Sequence, residues 1–128
     1  MNDLSIPLST LAIIFATIVA IEHLFIMCLE MFFIRSAMAK RAFGLSREFL
    51  QQKQTQVLFA NLGLYNGFVG IGILWSLFLV PSDFQRLSTL FFVGFVIVAA
   101  CFGAITSSKK ILLTQGLPAI VAMLCICF

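Results

Sequence analysis

The chain has 128 residues, of which 62% are hydrophobic and 10% charged, and its mean hydropathy is +1.13. Soluble domains carry about 25% charged residues, so the composition excludes that class and predicts a single membrane-embedded domain over residues 1–128. The net charge of +3 is small. Basic residues beside membrane spans explain it through topology and anionic lipid, so it requires no nucleic-acid partner.

Four apolar segments predict an all-α, polytopic membrane protein with four transmembrane helices in an antiparallel bundle. They are residues 8–34, 57–80, 87–105 and 111–128. Each has at least 18 residues, enough to cross a hydrocarbon core of about 30 Å at 1.5 Å per residue. Helices are expected because a spanning backbone must satisfy its own hydrogen bonds, and the alternating pattern of a barrel strand is not found.

The first segment carries the most informative polar residues, Glu22, His23 and Glu30, and contains no Lys, Arg or Asp. A charged side chain at the centre of a bilayer costs roughly 2.5–3.5 kcal/mol on insertion scales, so such residues face a protein interior or a wet cavity. His23 and Glu30 are seven residues apart and therefore share a helix face. These residues predict a functional site inside the membrane.

The connection that follows is the one sizeable polar piece of the chain. Gly44 is predicted to end one helix and Ser46 to be the N-cap of the next, with Glu48 in its first turn. No breaker follows, so the second helix is predicted to run from about residue 46 to residue 80.

The basic residues predict the orientation. The first connection holds five of them (Arg35, Lys40, Arg41, Arg47 and Lys53), the third holds Lys109 and Lys110, and the second holds Arg86 alone. This asymmetry of seven to one places the first and third connections in the cytoplasm. Both termini are then extracytoplasmic, in a multi-pass protein of the cell membrane.

Polar residues of three helices fall at matching depths. Counted inward from the cytoplasmic ends of the apolar segments, Glu30, Asn61 and Gln115 each lie four residues in, at a depth of about 6 Å. His23, Tyr65 and Asn66 lie deeper. The coincidence predicts one interior ligand- or proton-binding site made of Glu22, His23, Glu30, Asn61, Tyr65, Asn66 and Gln115.

Two further patterns concern helix shape and contact. Pro118 removes the donor for the carbonyl group of Thr114 and predicts a bend beside Gln115. Gly63 and Gly67 form a GxxxG pair, which permits close helix contact within the bundle or in a homo-oligomer.

Several of these motifs occur together in one order: Glu22-His23-Leu24-Phe25, Leu29-Glu30-Met31-Phe32, Phe43-Gly44-Leu45, Asn61-Leu62-Gly63-Leu64-Tyr65-Asn66-Gly67-Phe68 and Gln115-Gly116-Leu117-Pro118-Ala119. The chain thereby resembles the DUF1304 family of small four-helix integral membrane proteins over nearly its whole length. The second helix of that family usually reads Asn-Gln-Gly, and Leu62 replaces the glutamine here. The resemblance implies the fold and the site, but no chemistry.

Three classes of function fit the residues. The first is a proton- or cation-coupled carrier of a small molecule, with Glu30 and His23 as the groups that take up the proton or cation. The second is a membrane enzyme acting on a lipid-soluble substrate with His23 as acid or base, although no catalytic set is evident. The third is a structural or assembly subunit. One histidine and four cysteines without metal-ligand spacing predict neither a metal site nor a cofactor.

Overall fold

The computed structural model describes residues 6–128. Its helices are α1 Thr10–Met31, α2 Ala37–Phe43, α3 Arg47–Gln51, α4 Lys53–Phe78, α5 Ser82–Thr106 and α6 Leu117–Cys127, with a π-helical turn, Leu112–Gly116, directly before α6. The described residues contain no strand. The prediction of an all-α fold is therefore confirmed.

Three of the helices are long and apolar enough to cross a membrane: α1, α4 and α5, with 22, 26 and 25 residues. The fourth apolar stretch, Leu112–Cys127, is shorter. At 1.5 Å per residue it extends about 24 Å, less than a typical hydrocarbon core. Residues 6–128 thus contain three helices of spanning length where the sequence predicted four.

The polar connection after α1 folds into two short helices. Gly44 ends α2 with a φ of 65°, a left-handed conformation that glycine adopts without steric cost. The Ser46 hydroxyl group accepts the Phe49 N–H and caps α3, as the sequence predicted. The predicted continuous helix from residue 46 is interrupted, however, because Gln52 is extended (ψ 133°) and α4 begins only at Lys53.

The described chain divides into two compact units. One comprises the described residues up to Glu22 together with Val69–Phe128, and the other is His23–Phe68. The first unit has the larger core, formed by small and branched side chains of α1, α4, α5 and α6. Ala12, Ala16 and Ala119 are fully buried there, and their small size allows neighbouring helices to approach closely.

Arg86, which the sequence placed in the second connection and which lies near the beginning of α5, stabilises the first unit through bonds to backbone carbonyl groups. Its guanidinium group donates hydrogen bonds to the carbonyl oxygens of Ile6 and Ile126. Ile126 lies in the last turn of α6, where carbonyl groups lack helical donors. Arg86 therefore caps the end of α6.

The second unit packs the two short helices against its own apolar cluster. Ile34, Ala39, Leu50 and Phe59 are buried together, and the rings of Phe43 and Phe59 lie 5.3 Å apart. Residues of α2, α3 and α4 all contribute, so burial of these side chains fixes the short helices on the beginning of α4.

Candidate functional site

His23 and Glu30 lie on the buried face of α1. Ala12, Ala16, Val19 and Ala20 are fully buried, and His23 and Glu30 follow them at helical spacing with 4% and 6% of their surface exposed. The predicted shared face of His23 and Glu30 thus lies against protein. An ionisable residue in this position is expected to have a specific role, because its burial is costly.

Asn66 is the hydrogen-bond partner of Glu30 within the second unit. The side-chain amide of Asn66 donates to Glu30 Oε2 at 2.8 Å and to the Leu62 carbonyl oxygen of its own helix at 3.3 Å. The two N–H groups of the amide are therefore both used. The bond links α1 to α4 and joins a carboxylate to a neutral donor.

Two methionines on α1 and two glycines on α4 set the register of this helix pair. A Cβ atom added to Gly63 would lie 2.7 Å from Met31 Cγ, and one added to Gly67 would overlap Met27 Sδ. Met27 lies against Gly67 and Met31 lies against Gly63, so these segments of α1 and α4 run antiparallel. Glycine at both positions gives the methionine side chains the space that they occupy.

The sequence paired Glu30 with Asn61, and the structure differs. The Asn61 side chain is exposed and donates to the carbonyl oxygen of Val57 in its own helix at 2.9 Å. The predicted depth was counted from the edges of apolar segments, whereas the methionine–glycine packing sets a register shifted by about one turn. That shift brings Asn66, rather than Asn61, into hydrogen-bond contact with Glu30. The predicted site that includes Asn61 stays a prediction.

Tyr65 also lies outside the Glu30–Asn66 contact. It is 66% exposed, and its ring packs edge-on against Phe68 at a centroid distance of 6.1 Å. Tyr65 is adjacent to Asn66 in sequence, so the helix turns it by about 100° from the side that meets Glu30. Its predicted role in ligand binding stays a prediction.

Gln115 lies in the first unit, on the π-helical turn. Here the N–H of Leu117 bonds to the carbonyl oxygen of Leu112, five residues earlier. The turn ends at Gly116, two residues before Pro118, where the sequence predicted a bend. Such turns often occur at functional sites. Gln115 is half-buried, and its side chain makes no hydrogen bond to the described residues. The predicted convergence of Gln115 with Glu30 stays a prediction.

The first unit also contains two buried oxygens without a hydrogen-bond partner among the described residues, Glu22 Oε2 and Thr89 Oγ1. Buried polar atoms are nearly always satisfied, so each is a position where a proton, water or ligand could add a bond. The sequence singled out Glu22 and overlooked Thr89, which lies within an apolar run. In residues 6–128 no group of three His, Cys, Asp or Glu side chains is placed to hold a metal ion.

Met27, Met31 and Arg86 are the structurally important residues that the sequence interpretation missed. The i, i+4 spacing of the methionines was a usable signal, because it matches the spacing of Gly63 and Gly67. Arg86 gave no such signal, since its partners are backbone carbonyls distant in sequence.

These features define a class: a small all-helical protein with apolar helices of membrane-spanning length and a carboxylate buried between two of them. The family model described as "Protein of unknown function (DUF1304)" matches residues 17–127. The chain therefore belongs to the DUF1304 family.

A curated relative supports this assignment over most of both chains. "Uncharacterized protein YpaA" from Lactococcus lactis subsp. lactis (strain IL1403) is 37% identical over 117 residues, which cover 91% of this chain and 97% of the relative. No solved structure matches the chain.

Proposed function

We propose that the chain crosses the cell membrane four times with both termini extracytoplasmic. Three helices have the length and apolarity for this topology, and Leu112–Cys127 is also apolar. Ala119, Ala122 and Ile126 of that last stretch belong to the same buried core as residues of α1, α4 and α5. A helix packed among span-length helices shares their surroundings, which supports a fourth crossing despite its shorter length.

We further propose that the protein is a proton- or cation-coupled carrier of a small molecule, with Glu30 as the central residue. The observation that carries this proposal is the buried Glu30 carboxyl group held by the neutral Asn66 amide, with no Lys or Arg bonded to it in the described chain. A charge without a cationic partner is costly at bilayer depth, so binding of a proton or cation to Glu30 is favourable.

The remaining residues of the proposed site would serve the small molecule. His23 is buried on the Glu30 face of α1, while Asn61 and Tyr65 are exposed on α4. In this proposal the ligand is a small polar molecule, which the amide, phenol and imidazole groups of these residues bind through hydrogen bonds.

A second candidate, a structural or assembly subunit, is favoured by the packing of Met27 and Met31 over Gly67 and Gly63. In that case the Asn66–Glu30 hydrogen bond serves to fix the register of α1 and α4. Buried polar contacts are known to specify register in helical assemblies.

Proton flux into liposomes distinguishes the two candidates. Purified protein would be reconstituted with a pH-sensitive dye inside the vesicles, and a potassium diffusion potential would drive protons inward. Glu30→Gln keeps the shape of the side chain but removes its charge, so we expect it to abolish flux above that of empty vesicles.

Glu48→Gln is the matched control, because Glu48 is exposed in the first turn of α3. It should retain the wild-type flux within twofold. Equal flux from wild type and Glu30→Gln, or wild-type flux no faster than in empty vesicles, would reject the carrier proposal in favour of the structural one.

A further inference from the structure

An open basic hollow lies between α2 and α3, within the second unit. Its volume is about 610 Å³, and it is lined by Ala37, Lys40, Arg41, Gly44, Leu45 and Ser46. Gly44 ends α2 beside the hollow in a left-handed conformation, and Ser46 caps the beginning of α3.

The donors of this hollow are available to a ligand. Lys40 and Arg41 are exposed, and neither side chain forms an ion pair or hydrogen bond within residues 6–128. The Ser46 oxygen accepts the Phe49 N–H, which leaves its hydroxyl proton free to donate. Glu48 is the single acidic residue between Met31 and Val57, and it does not line the hollow.

The same segment carries exposed large apolar side chains beside its charges. Phe32, Phe33, Met38 and Phe49 are all more than 40% exposed. Exposed aromatic and basic side chains in a short segment that follows an apolar helix are typical of chain that lies at a membrane surface. The buried cluster of Ile34, Ala39, Leu50 and Phe59 holds the short helices in place, so the hollow has a packed scaffold.

We propose that this hollow binds a phosphate group at the cytoplasmic surface of the membrane. Arg41 supplies a planar pair of donors, Lys40 a point charge and Ser46 a hydroxyl donor, a combination that suits the tetrahedral oxygens of a phosphate. The headgroup of an anionic phospholipid and a free phosphate compound share this chemistry. The proposal is independent of any transport function of Glu30.

Native mass spectrometry of the detergent-solubilised full chain tests the proposal with defined lipids. Wild type should retain phosphatidylglycerol in preference to phosphatidylcholine. Because Lys40 and Arg41 would bond the phosphate directly, and a hydrogen bond between charged groups contributes roughly tenfold or more to binding, Lys40→Gln with Arg41→Gln should lower retention of phosphatidylglycerol at least tenfold. Both side chains are exposed, and circular dichroism would verify that the helices are retained.

Lys109→Gln with Lys110→Gln is the matched control, since it removes the same charge from a basic pair that does not line the hollow. This variant should retain phosphatidylglycerol within twofold of wild type. An equal loss in both double variants, or no loss in either, would overturn the proposal.

Inorganic phosphate added as a competitor identifies the source of the phosphate group. Displacement of phosphatidylglycerol by millimolar phosphate from wild type would support a free phosphate ligand. Retention of the lipid under that competition would support a lipid headgroup. In both cases the proposal requires that Lys40→Gln with Arg41→Gln lower the retention of phosphatidylglycerol at least tenfold.

Discussion

The hydrogen bond between Asn66 and Glu30 is more important for the acceptor than for the donor. Asn66 could return its amide to its own helix, where it already donates to the Leu62 carbonyl oxygen. Glu30 is 6% exposed, and Asn66 supplies its hydrogen bond across the helix pair. Loss of the donor is therefore more costly than its contribution in the intact pair, because the buried acceptor would remain.

Asn66→Leu should for this reason lower the free energy of unfolding by about 1–3 kcal/mol. Asn61→Leu removes the same group from the same helix, but Asn61 donates only to the Val57 carbonyl oxygen and is exposed. We expect the latter change to stay within about 0.5 kcal/mol of wild type. Unfolding of both variants by denaturing detergent, followed by circular dichroism, measures the difference.

The combined variant Glu30→Leu with Asn66→Leu adds an internal check on the partnership, because leucine at position 30 removes the acceptor. If the two residues interact, their effects on the free energy of unfolding should not add. Additive effects, or equal destabilisation by Asn61→Leu and Asn66→Leu, would contradict the hydrogen bond as the basis of the contact.

At the scale of elements, the close approach of α1 and α4 depends on Gly63 and Gly67 to different degrees. A Cβ atom at Gly67 would meet the flexible end of the Met27 side chain. One at Gly63 would lie 3.0 Å from Glu30 Cβ and 3.1 Å from the Met27 backbone oxygen. Backbone and Cβ atoms cannot move unless the whole helix moves. Position 63 therefore tolerates a side chain less well than position 67.

Gly63→Ala should accordingly lower the free energy of unfolding by about 1–3 kcal/mol, since the helices must separate. Gly67→Ala should be nearly neutral, because the Met27 sulfur can move aside and alanine favours the helix. Detergent unfolding of the two variants compares them directly. The reverse order of stability would show that the described register of α1 and α4 is wrong.

The spans and the caps could be predicted from the sequence because each depends on local properties. Continuous apolarity predicted α1, α4 and α5, and Gly44 and Ser46 marked the ends of short helices. The break at Gln52 could not be predicted, since neither Gly nor Pro marks it.

The partner of Glu30 could not be predicted for a different reason. Depth along apolar segments is uncertain by about one turn, and one turn separates Asn61 from Tyr65 and Asn66. The register is set by the fit of Met27 and Met31 over glycine, which is a property of two helices together. Patterns within one helix do not contain that information.

At the scale of the whole chain, the basic residues have two distinct roles. Arg86 is bonded to the carbonyl oxygens of Ile6 and Ile126, so its position follows from the packing of the first unit. Within residues 6–128, the side chains of the seven basic residues in the other two connections form no hydrogen bond or ion pair, so they are free to respond to the membrane. Without Arg86, all remaining basic residues lie in the two connections that are proposed to be cytoplasmic.

The proposed topology can be measured with single cysteines in the connections. After replacement of Cys28, Cys101, Cys125 and Cys127 by alanine, Ser82→Cys would report on the second connection and Ser107→Cys on the third; both positions are exposed. In intact cells a membrane-impermeant maleimide should label Ser82→Cys, because the second connection is proposed to face outward. Ser107→Cys should react only after permeabilisation, since it lies beside Lys109 and Lys110. The opposite pattern would invert the topology and place the basic hollow between α2 and α3 outside the cell, whereas labelling of both in intact cells would exclude α5 as a membrane span.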